Sequence, residues 1–206
     1  MANKDFIPAA HCHFLTKFYD PFARIFLDKT HQKIIDTIDW QNSHSVLDIG
    51  CGPGNFLLKI HSHYPTLQLI GVDIDPEILA VARQKLKTLT EISLLEDSAV
   101  SLPFKHNQFD IITSTLAFHH LTTEERKQAF QEAYRVLKQG GTFWLYEFAN
   151  PVNRPARILA SFIKLFEDIN DGINNKLPLM YQQAGFRNIR THWTKWGLLS
   201  LLSGQK

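Results

Sequence analysis

The chain runs Val46-Leu47-Asp48-Ile49-Gly50-Cys51-Gly52-Pro53-Gly54-Asn55-Phe56, an apolar segment followed at once by three glycines. The apolar residues predict a short strand that is buried on both faces, and the glycines predict a tight turn after it. Phe56, Leu57 and Ile60 then recur at helical spacing. A strand, a glycine loop and a helix in this order place the free N–H groups of a helix beside the loop, which is typical of a nucleotide-type binding site.

The spacing of the glycines distinguishes between two kinds of nucleotide site. A dinucleotide fingerprint needs a small residue three places after the second glycine, where this chain has Asn55. The glycines instead follow the pattern G-x-G-x-G, with Asp48 two places before the first. A carboxylate there repels a pyrophosphate and attracts a cationic ligand, such as a sulfonium with an amino-acid tail. A nicotinamide-dependent oxidoreductase is therefore the less favoured alternative.

This pattern resembles the first motif of the class I, Rossmann-like S-adenosylmethionine-dependent methyltransferases, in particular the small-molecule enzymes of ubiquinone and menaquinone biosynthesis. The resemblance extends from Val46 to Gly185 and includes Leu102-Pro103-Phe104, Arg135 to Gly141 (with Gln139 where the family has proline) and Ala184-Gly185-Phe186. It implies S-adenosyl-L-methionine as cofactor and S-adenosyl-L-homocysteine as product. It also implies an α/β fold with a mainly parallel seven-stranded sheet, helices on both faces and an antiparallel C-terminal hairpin.

Acidic residues stand at the ends of three predicted strands: Asp48, Asp73 and Asp97. Ligands of open parallel α/β sheets bind at those ends, and a carboxylate roughly 20 residues after the first glycine reaches a ribose diol. The resemblance implies that Asp73 binds the ribose and Asp97 the adenine amino group. Asp75, directly before Pro76, predicts a helix N-cap instead. The implied cofactor-binding set is completed by Gly50, Cys51, Gly52, Gly54, Ile74, Ser98 and Ser114.

His119 and Glu147 are the candidate residues for chemistry at the methyl acceptor. His119 follows the fourth predicted strand, and an imidazole with a pKa near 6.5 can take a proton at neutral pH. The alternative is that its His-His-Leu turn only shapes the loop. Glu147 ends the fifth predicted strand, where it can bind an amine or act as a base, unless it is simply solvated. Because only some acceptors must lose a proton, O-, C- and N-methylation of a small, partly apolar acceptor all remain open.

We expect one domain in four parts: an N-terminal helical cap over residues 1–42, a cofactor-binding core over 43–149, a lid-like insertion over 150–176, and a C-terminal helix and hairpin over 177–206. Within the cap, Pro21 predicts an interruption of the helical pattern. Tyr19-Asp20 resembles the start of quinone-biosynthesis methyltransferases and implies a lid in which Tyr19 touches the cofactor. The alternative is that these helices only cover the sheet.

The insertion carries apolar residues on one helical face, namely Ile158, Leu159, Phe162, Ile163 and Phe166. This face predicts a lid over the acceptor pocket. Weak contact with a membrane surface is the alternative, because Arg154, Arg157 and Lys164 lie elsewhere on the same helix.

The turns around the last strands are predicted from glycines and polar residues. Gly140 and Gly141 predict the C-cap of the preceding helix, with the fifth strand over 142–148. The final hairpin is predicted as strands over 186–189 and 193–202.

Composition excludes several classes of protein. The 206 residues are 44% hydrophobic with a formal net charge of +2, which argues against a nucleic-acid partner. Only Cys12 and Cys51 are present, and no signal peptide or apolar run near 18 residues is found, so we expect a cytoplasmic protein without integral membrane association. His11, Cys12 and His13 lack further ligands, so no metal is predicted. Monomer and homodimer remain open, as does a non-catalytic cofactor-binding protein that kept the fold.

Overall fold

Seven strands form one sheet that carries all the predicted site residues of the core. The computed structural model describes residues 16–165 and 167–206, with side chains from residue 27 onward. The strands are β1 Ser45–Ile49, β2 Gln68–Asp73, β3 Ile92–Glu96, β4 Phe109–Thr115, β5 Leu137–Phe148, β6 Arg187–Lys195 and β7 Leu199–Gln205. The helices are α1 Thr16–Thr37, α2 Asn55–His63, α3 Pro76–Leu86, α4 Thr123–Val136, α5 Arg154–Ile163, α6 Asn170–Ile173 and α7 Leu177–Ala184, together with a short 3-10 helix, Phe118–His120.

The sheet order is β3-β2-β1-β4-β5-β7-β6. The first five strands in this order, β3, β2, β1, β4 and β5, are parallel to one another. Strand β7 pairs antiparallel with both β5 and β6. The order reverses between β1 and β4, so the connections leave these neighbours in opposite directions and open a crevice at their carboxyl ends. The predicted fold class, a mainly parallel seven-stranded α/β sheet with an antiparallel C-terminal hairpin, is confirmed.

Alternating side chains of the central strands divide the core into two layers. Val46, Leu69 and Ile111 pack with buried residues of α1, α2 and α3 on one face. Leu47 and Ile112 point to the opposite face and pack with α4 and α7. Because both faces are covered by helices, these strands carry buried apolar side chains on both faces, as the apolar run at Val46 indicates.

The prediction that Gly140 and Gly141 cap α4 is wrong. The helix ends at Val136, and Leu137 is already extended and pairs with Phe109 of β4. Pairing with the end of the chain extends β5, because the N–H of Gly140 donates to Lys206 O and the N–H of Lys206 donates to Gly141 O. Gly140 still adopts a positive φ of 79°, but within the strand.

The final hairpin turns later than predicted. Its turn is Trp196-Gly197, with φ values of 52° and 69°, and both strands are correspondingly shifted along the chain. Positive φ at both central residues is the geometry of a type I′ hairpin turn, for which Gly197 was the available sequence signal.

Two predictions for the helical segments also need correction. Helix α1 continues through Pro21, where proline removes a single backbone hydrogen bond near the helix N-terminus. Helix α5 does not turn its apolar face toward the site, because Ile158 and Phe162 are 61% and 63% exposed, and its buried residues are Ala156 and Ala160. Among the described residues, no helix is both long and apolar enough to span a membrane.

Candidate functional site

The three glycines of the loop are needed for different structural reasons. A Cβ on Gly50 would lie 2.2 Å from the Cβ of Ala117, and a Cβ on Gly54 would lie 2.7 Å from Cδ1 of Leu86. A Cβ on Gly52 would meet nothing within 4 Å. All three have positive φ, from 51° to 74°, which L side chains rarely adopt. Packing therefore requires Gly50 and Gly54, whereas Gly52 faces open space in the crevice.

Asp48 is a buried carboxylate, and one of its two oxygens has no hydrogen-bond partner among the described residues. It is 1% exposed, and its Oδ1 accepts a hydrogen bond of 2.8 Å from the Thr113 hydroxyl. Its Oδ2 is buried without a hydrogen-bond partner. Burial raises the pKa of Asp48 to about 7; the Thr113 hydrogen bond opposes this shift, and the charge of Asp73 adds to it. Buried polar groups are normally satisfied, so an orphaned carboxylate oxygen beside the glycine loop fits a cationic ligand group.

Asp73 shapes the same loop from the end of β2. Its Oδ2 accepts the N–H of Gly52 at 2.8 Å, and its Oδ1 accepts the N–H of Asp75 at 3.0 Å. Burial raises the pKa of Asp73, although these backbone hydrogen bonds oppose the shift. Each carboxylate oxygen keeps a second lone pair, so hydroxyl groups of a ribose can still donate to it.

The neighbouring strand end brings Asp97 beside Asp73. The N–H of Asp97 donates to the Asp73 carbonyl at 3.1 Å, and the half-buried Asp97 carboxylate accepts the N–H of Ser98. Ile74 is 43% exposed, so an apolar side chain stands in the open next to these two acids. A flat ring could pack on Ile74 while its polar edge meets Asp97. The Ser98 hydroxyl accepts the N–H of Val100 at 3.4 Å within the turn.

Other predicted residues have structural roles. Asp75 is the N-cap of α3 as expected, since its Oδ1 accepts the N–H groups of Glu77 and Ile78. Cys51 is buried, and burial raises the pKa of its thiol, so the group stays protonated. Ser114 is fully buried and donates its hydroxyl to the Ile49 carbonyl at 2.7 Å, so we withdraw it as a cofactor contact. Its hydroxyl braces β4 against β1 and is not free for a ligand.

His119 and Glu147 form a buried pair at the carboxyl end of β5. Nδ1 of His119 lies 3.0 Å from Oε1 and 3.1 Å from Oε2 of Glu147. The carboxylate also accepts the backbone N–H groups of His119 and Phe148. The two side chains are 8% and 3% exposed, so Glu147 is not the solvated carboxylate that the alternative interpretation describes.

The charges of this pair stabilise each other. Burial lowers the pKa of His119, but the adjacent Glu147 carboxylate outweighs it and holds the pKa above its ordinary value. Burial likewise raises the pKa of Glu147, but His119 and the backbone hydrogen bonds hold it below its ordinary value. Because Nδ1 faces a carboxylate, Nε2 is the ring nitrogen left for a reacting group.

Arg126 of α4 ties the His119 turn to the segment after α5, which sequence reasoning missed. Its guanidinium donates to the carbonyls of Phe118 and His119 and forms a 2.7 Å ion pair with Asp171. Arg126 is 2% exposed and Asp171 1%. A Cβ on Gly172 would lie 2.1 Å from the Phe148 carbonyl, so α6 packs directly on the end of β5. A cation in the first turn of a helix opposes the helix dipole, and that conflict was the signal in the sequence.

Glu167 closes this side of the site. Its Oε2 lies 4.0 Å from Nε2 of His119 and 3.6 Å from Nδ1 of His120. Ligand atoms of these three residues all lie within 4.8 Å of one another, a separation at which they could hold a metal ion. Burial lowers the pKa of His120 to about 4, so only the contact of Glu167 with His119, whose pKa is raised, becomes an ion pair near neutral pH.

Some of the sequence-based predictions concern residues or side chains that the structure does not describe. The side chain of Tyr19 and the backbone of His11, Cys12 and His13 are among these, as is Phe166. Contact between Tyr19 and the cofactor therefore stays a prediction.

The family comparison agrees with the site. Residues 46–141 match the family model described as a methyltransferase domain. This segment begins at β1 and includes the glycine loop, Asp73, Asp97 and His119. With the acidic residue before G-x-G-x-G and the sheet order, this match supports methyl transfer from S-adenosylmethionine on a class I, Rossmann-like fold. The nicotinamide alternative is not favoured.

The relatives show how far the likeness extends. The chain is 29% identical to uncharacterized methyltransferase sll0829 of Synechocystis sp., over 86% of this chain and 83% of the relative. It is 30% identical to the demethylmenaquinone methyltransferase of Porphyromonas gingivalis, over 66% of this chain but only 58% of the relative. The structure of the YcgJ protein from Bacillus subtilis superimposes with a TM-score of 0.67 at 22% identity, over 87% of this chain and 98% of that one. This last likeness shows the fold alone.

Proposed function

We propose that this enzyme methylates a small, partly apolar acceptor that must give up a proton, with His119 as the proton acceptor and Glu147 as its partner. The observation that carries the proposal is the buried His119–Glu147 pair, which leaves Nε2 of His119 free of the carboxylate. Phenols, enols and reduced quinones all have such a proton. A methyl acceptor without one would not need this pair.

The cofactor site uses the carboxylates at the strand ends. We assign the amino-acid part of S-adenosyl-L-methionine to Asp48 and the open space over Gly52, its ribose to Asp73, and its adenine to Ile74, Asp97 and Ser98. The orphaned Oδ2 of Asp48 supports the first assignment. When bound, the cofactor supplies a methyl group that is already activated by a positively charged sulfur.

The protein's part in the reaction is alignment and proton removal. Glu147 holds His119 through Nδ1, which orients Nε2 and stabilises the imidazolium that forms when a proton arrives. Arg126 and α6 hold the backbone of the His119 turn in place. Water is kept from the pair because both side chains are buried.

The surroundings of the pair support an apolar acceptor. The Phe148 ring stands edge-on to His119 with ring centroids 5.1 Å apart, so one side of the imidazole meets an aromatic surface. The name of the Porphyromonas relative, a demethylmenaquinone methyltransferase, supports a quinone-type ring. A cytoplasmic location is also proposed, supported by the buried free thiol of Cys51.

The test compares two adjacent histidines with an acceptor panel of phenols, naphthols and reduced naphthoquinones. Because it removes the proton acceptor, His119→Gln should lower kcat about 100-fold while leaving cofactor affinity unchanged. The matched control, His120→Gln, should retain kcat within a few fold, because His120 has no hydrogen bond to Glu147 among the described contacts. Steady-state kinetics and calorimetric titration of S-adenosyl-L-methionine give both quantities.

The pH dependence provides a second check. His119 accepts a proton only when neutral, so kcat should rise with pH through its raised pKa. Glu147→Gln removes the larger of the two carboxylate charges that raise this pKa, the smaller being that of Glu167, and the rise should then move to lower pH. An unchanged kcat in His119→Gln, or a rise that does not move in Glu147→Gln, would reject the assigned roles.

A further inference from the structure

Helix α5 carries an apolar surface that no described part of the chain covers. Ile158, Leu159 and Phe162 are 61%, 44% and 63% exposed, and Leu165, just after the helix, is 73% exposed. Ile158, Phe162 and Leu165 follow one line at spacings of four and three residues, with Leu159 beside it. Adjacent large apolar side chains in water are uncommon on monomeric proteins and mark an interaction site. We call these four residues the α5 stripe.

A line of positive charge runs next to the α5 stripe. Arg154, Arg157 and Lys164 are exposed and recur at spacings of three and seven residues, which places them along one side of the helix. No acidic residue occurs between Glu147 and Glu167 in the sequence. The surface is therefore apolar along one line and purely cationic along the next.

We propose that α5 docks on the surface of a bilayer containing anionic lipids. The α5 stripe would enter the boundary between head groups and acyl chains, and the cationic line would meet lipid phosphates. Charge complementarity favours this occupant, because an anionic surface matches the cations while the interior of the interface matches the stripe. With three cations and one short helix, docking is reversible.

The docking surface is joined to the acceptor side of the site. Helix α5 leads through Glu167 to α6, which packs on the end of β5 beside His119. An acceptor dissolved in the bilayer would therefore approach from the side where the protein meets the lipid. Docking itself does not depend on the proposed proton chemistry, so the two can fail separately.

The test is cosedimentation of the full chain with vesicles of phosphatidylglycerol and phosphatidylcholine, against vesicles of phosphatidylcholine alone. Wild type should bind the mixed vesicles, and less at high salt because the charges are screened. Ile158→Gln/Phe162→Gln should lower vesicle affinity at least tenfold because it removes apolar contact area. Arg157→Gln should lower it about fivefold on anionic vesicles only. The matched control, Leu179→Gln, replaces a 51% exposed leucine of α7 and should bind as wild type.

Three results would overturn the proposal. The first is a folded wild type, shown by binding of S-adenosyl-L-methionine, that does not bind the mixed vesicles. The second is a dimer in sedimentation that Ile158→Gln/Phe162→Gln abolishes, which would make a second copy the occupant. The third is a clear drop in the thermal midpoint of that variant without lipid, which would mean that the stripe packs against another part of this chain.

Discussion

The orphaned oxygen of Asp48 makes this residue a source of instability in the protein without ligand. Burial raises its pKa to about 7, whereas in the unfolded chain it titrates near 4. A folded-state pKa above the unfolded value means that stability is lost as pH rises between these two values. The charged carboxylate that destabilises the fold is the form that a cationic ligand needs.

Asp48→Asn should therefore separate stability from binding. At about pH 8 the free energy of unfolding of the variant should exceed that of the wild type by on the order of 1 kcal/mol. At about pH 4 the variant should gain nothing, because wild-type Asp48 is then protonated in the folded state. Affinity for S-adenosyl-L-methionine should fall at least tenfold, and wild-type affinity should rise as pH increases through 7. Denaturant unfolding and calorimetry at both pH values measure these changes. A variant that binds as wild type would contradict the role of Asp48.

Gly52 and Gly54 should respond differently to the same added methyl group. Gly52→Ala has open space around it and should cost only the strain of a positive φ, about 1–2 kcal/mol, while its Cβ obstructs the cofactor and lowers affinity at least tenfold. Gly54→Ala carries the same strain, and its Cβ also presses on Leu86. Its free energy of unfolding should therefore fall by about 2–4 kcal/mol. Thermal unfolding and ligand titration of both variants compare them directly. Equal loss of cofactor affinity in variants that are equally stable would argue against an open crevice at Gly52.

At the scale of elements, Arg126 connects three parts of the chain that are distant in sequence. It joins α4, the His119 turn and α6 through buried hydrogen bonds and the ion pair with Asp171. Lys176 also reaches Asp171, at 3.1 Å, but is half exposed. Removing one partner of a buried pair leaves an uncompensated charge, whereas removing an exposed pair costs little.

Arg126→Met should accordingly destabilise the fold by about 3–5 kcal/mol, because Asp171 stays buried and loses the shorter and more buried of its two ion pairs. Lys127→Met, on the same helix, breaks an exposed pair with Glu124 and should change stability by less than about 0.5 kcal/mol. Arg126→Met/Asp171→Leu should recover part of the loss, since no unpaired buried charge remains. Denaturant unfolding measures all three. Similar losses in the two single variants would show that the buried network is not what holds these elements.

Elements were predictable where the signals lie within a few neighbouring residues. The N-cap at Asp75 occurs where the sequence places it. The start of β5 was missed, because strand pairing with β4 and β7 overrides the local signals of Gly140 and Gly141. The turn at Trp196-Gly197 was missed although Gly197 is a local signal for it. The exposed face of α5 was also missed, since periodicity shows that a helix has an apolar side but not what that side faces.

For the molecule as a whole, binding of the cofactor should appear as added thermal stability. A ligand at about 100 times its dissociation constant stabilises the folded state by about 2.7 kcal/mol. In a chain of this size that raises the thermal midpoint by roughly 5–10 °C. S-adenosyl-L-methionine and S-adenosyl-L-homocysteine should both produce the shift in a melting experiment, and NAD should not. A shift with NAD alone would revive the nicotinamide alternative.

The sequence by itself determined the class of fold and the cofactor. The signals are local: Asp48 and the three glycines lie at the end of the first strand, and the other acids lie at the ends of the strands that follow. Only the tertiary structure decided which of these side chains are available to a ligand. It left an oxygen of Asp48 without a partner, occupied the hydroxyl of Ser114, and joined His119 to Glu147 and Arg126 to Asp171. Those outcomes depend on contacts between residues far apart in the chain, and such contacts exist only once the sheet and its covering helices have assembled.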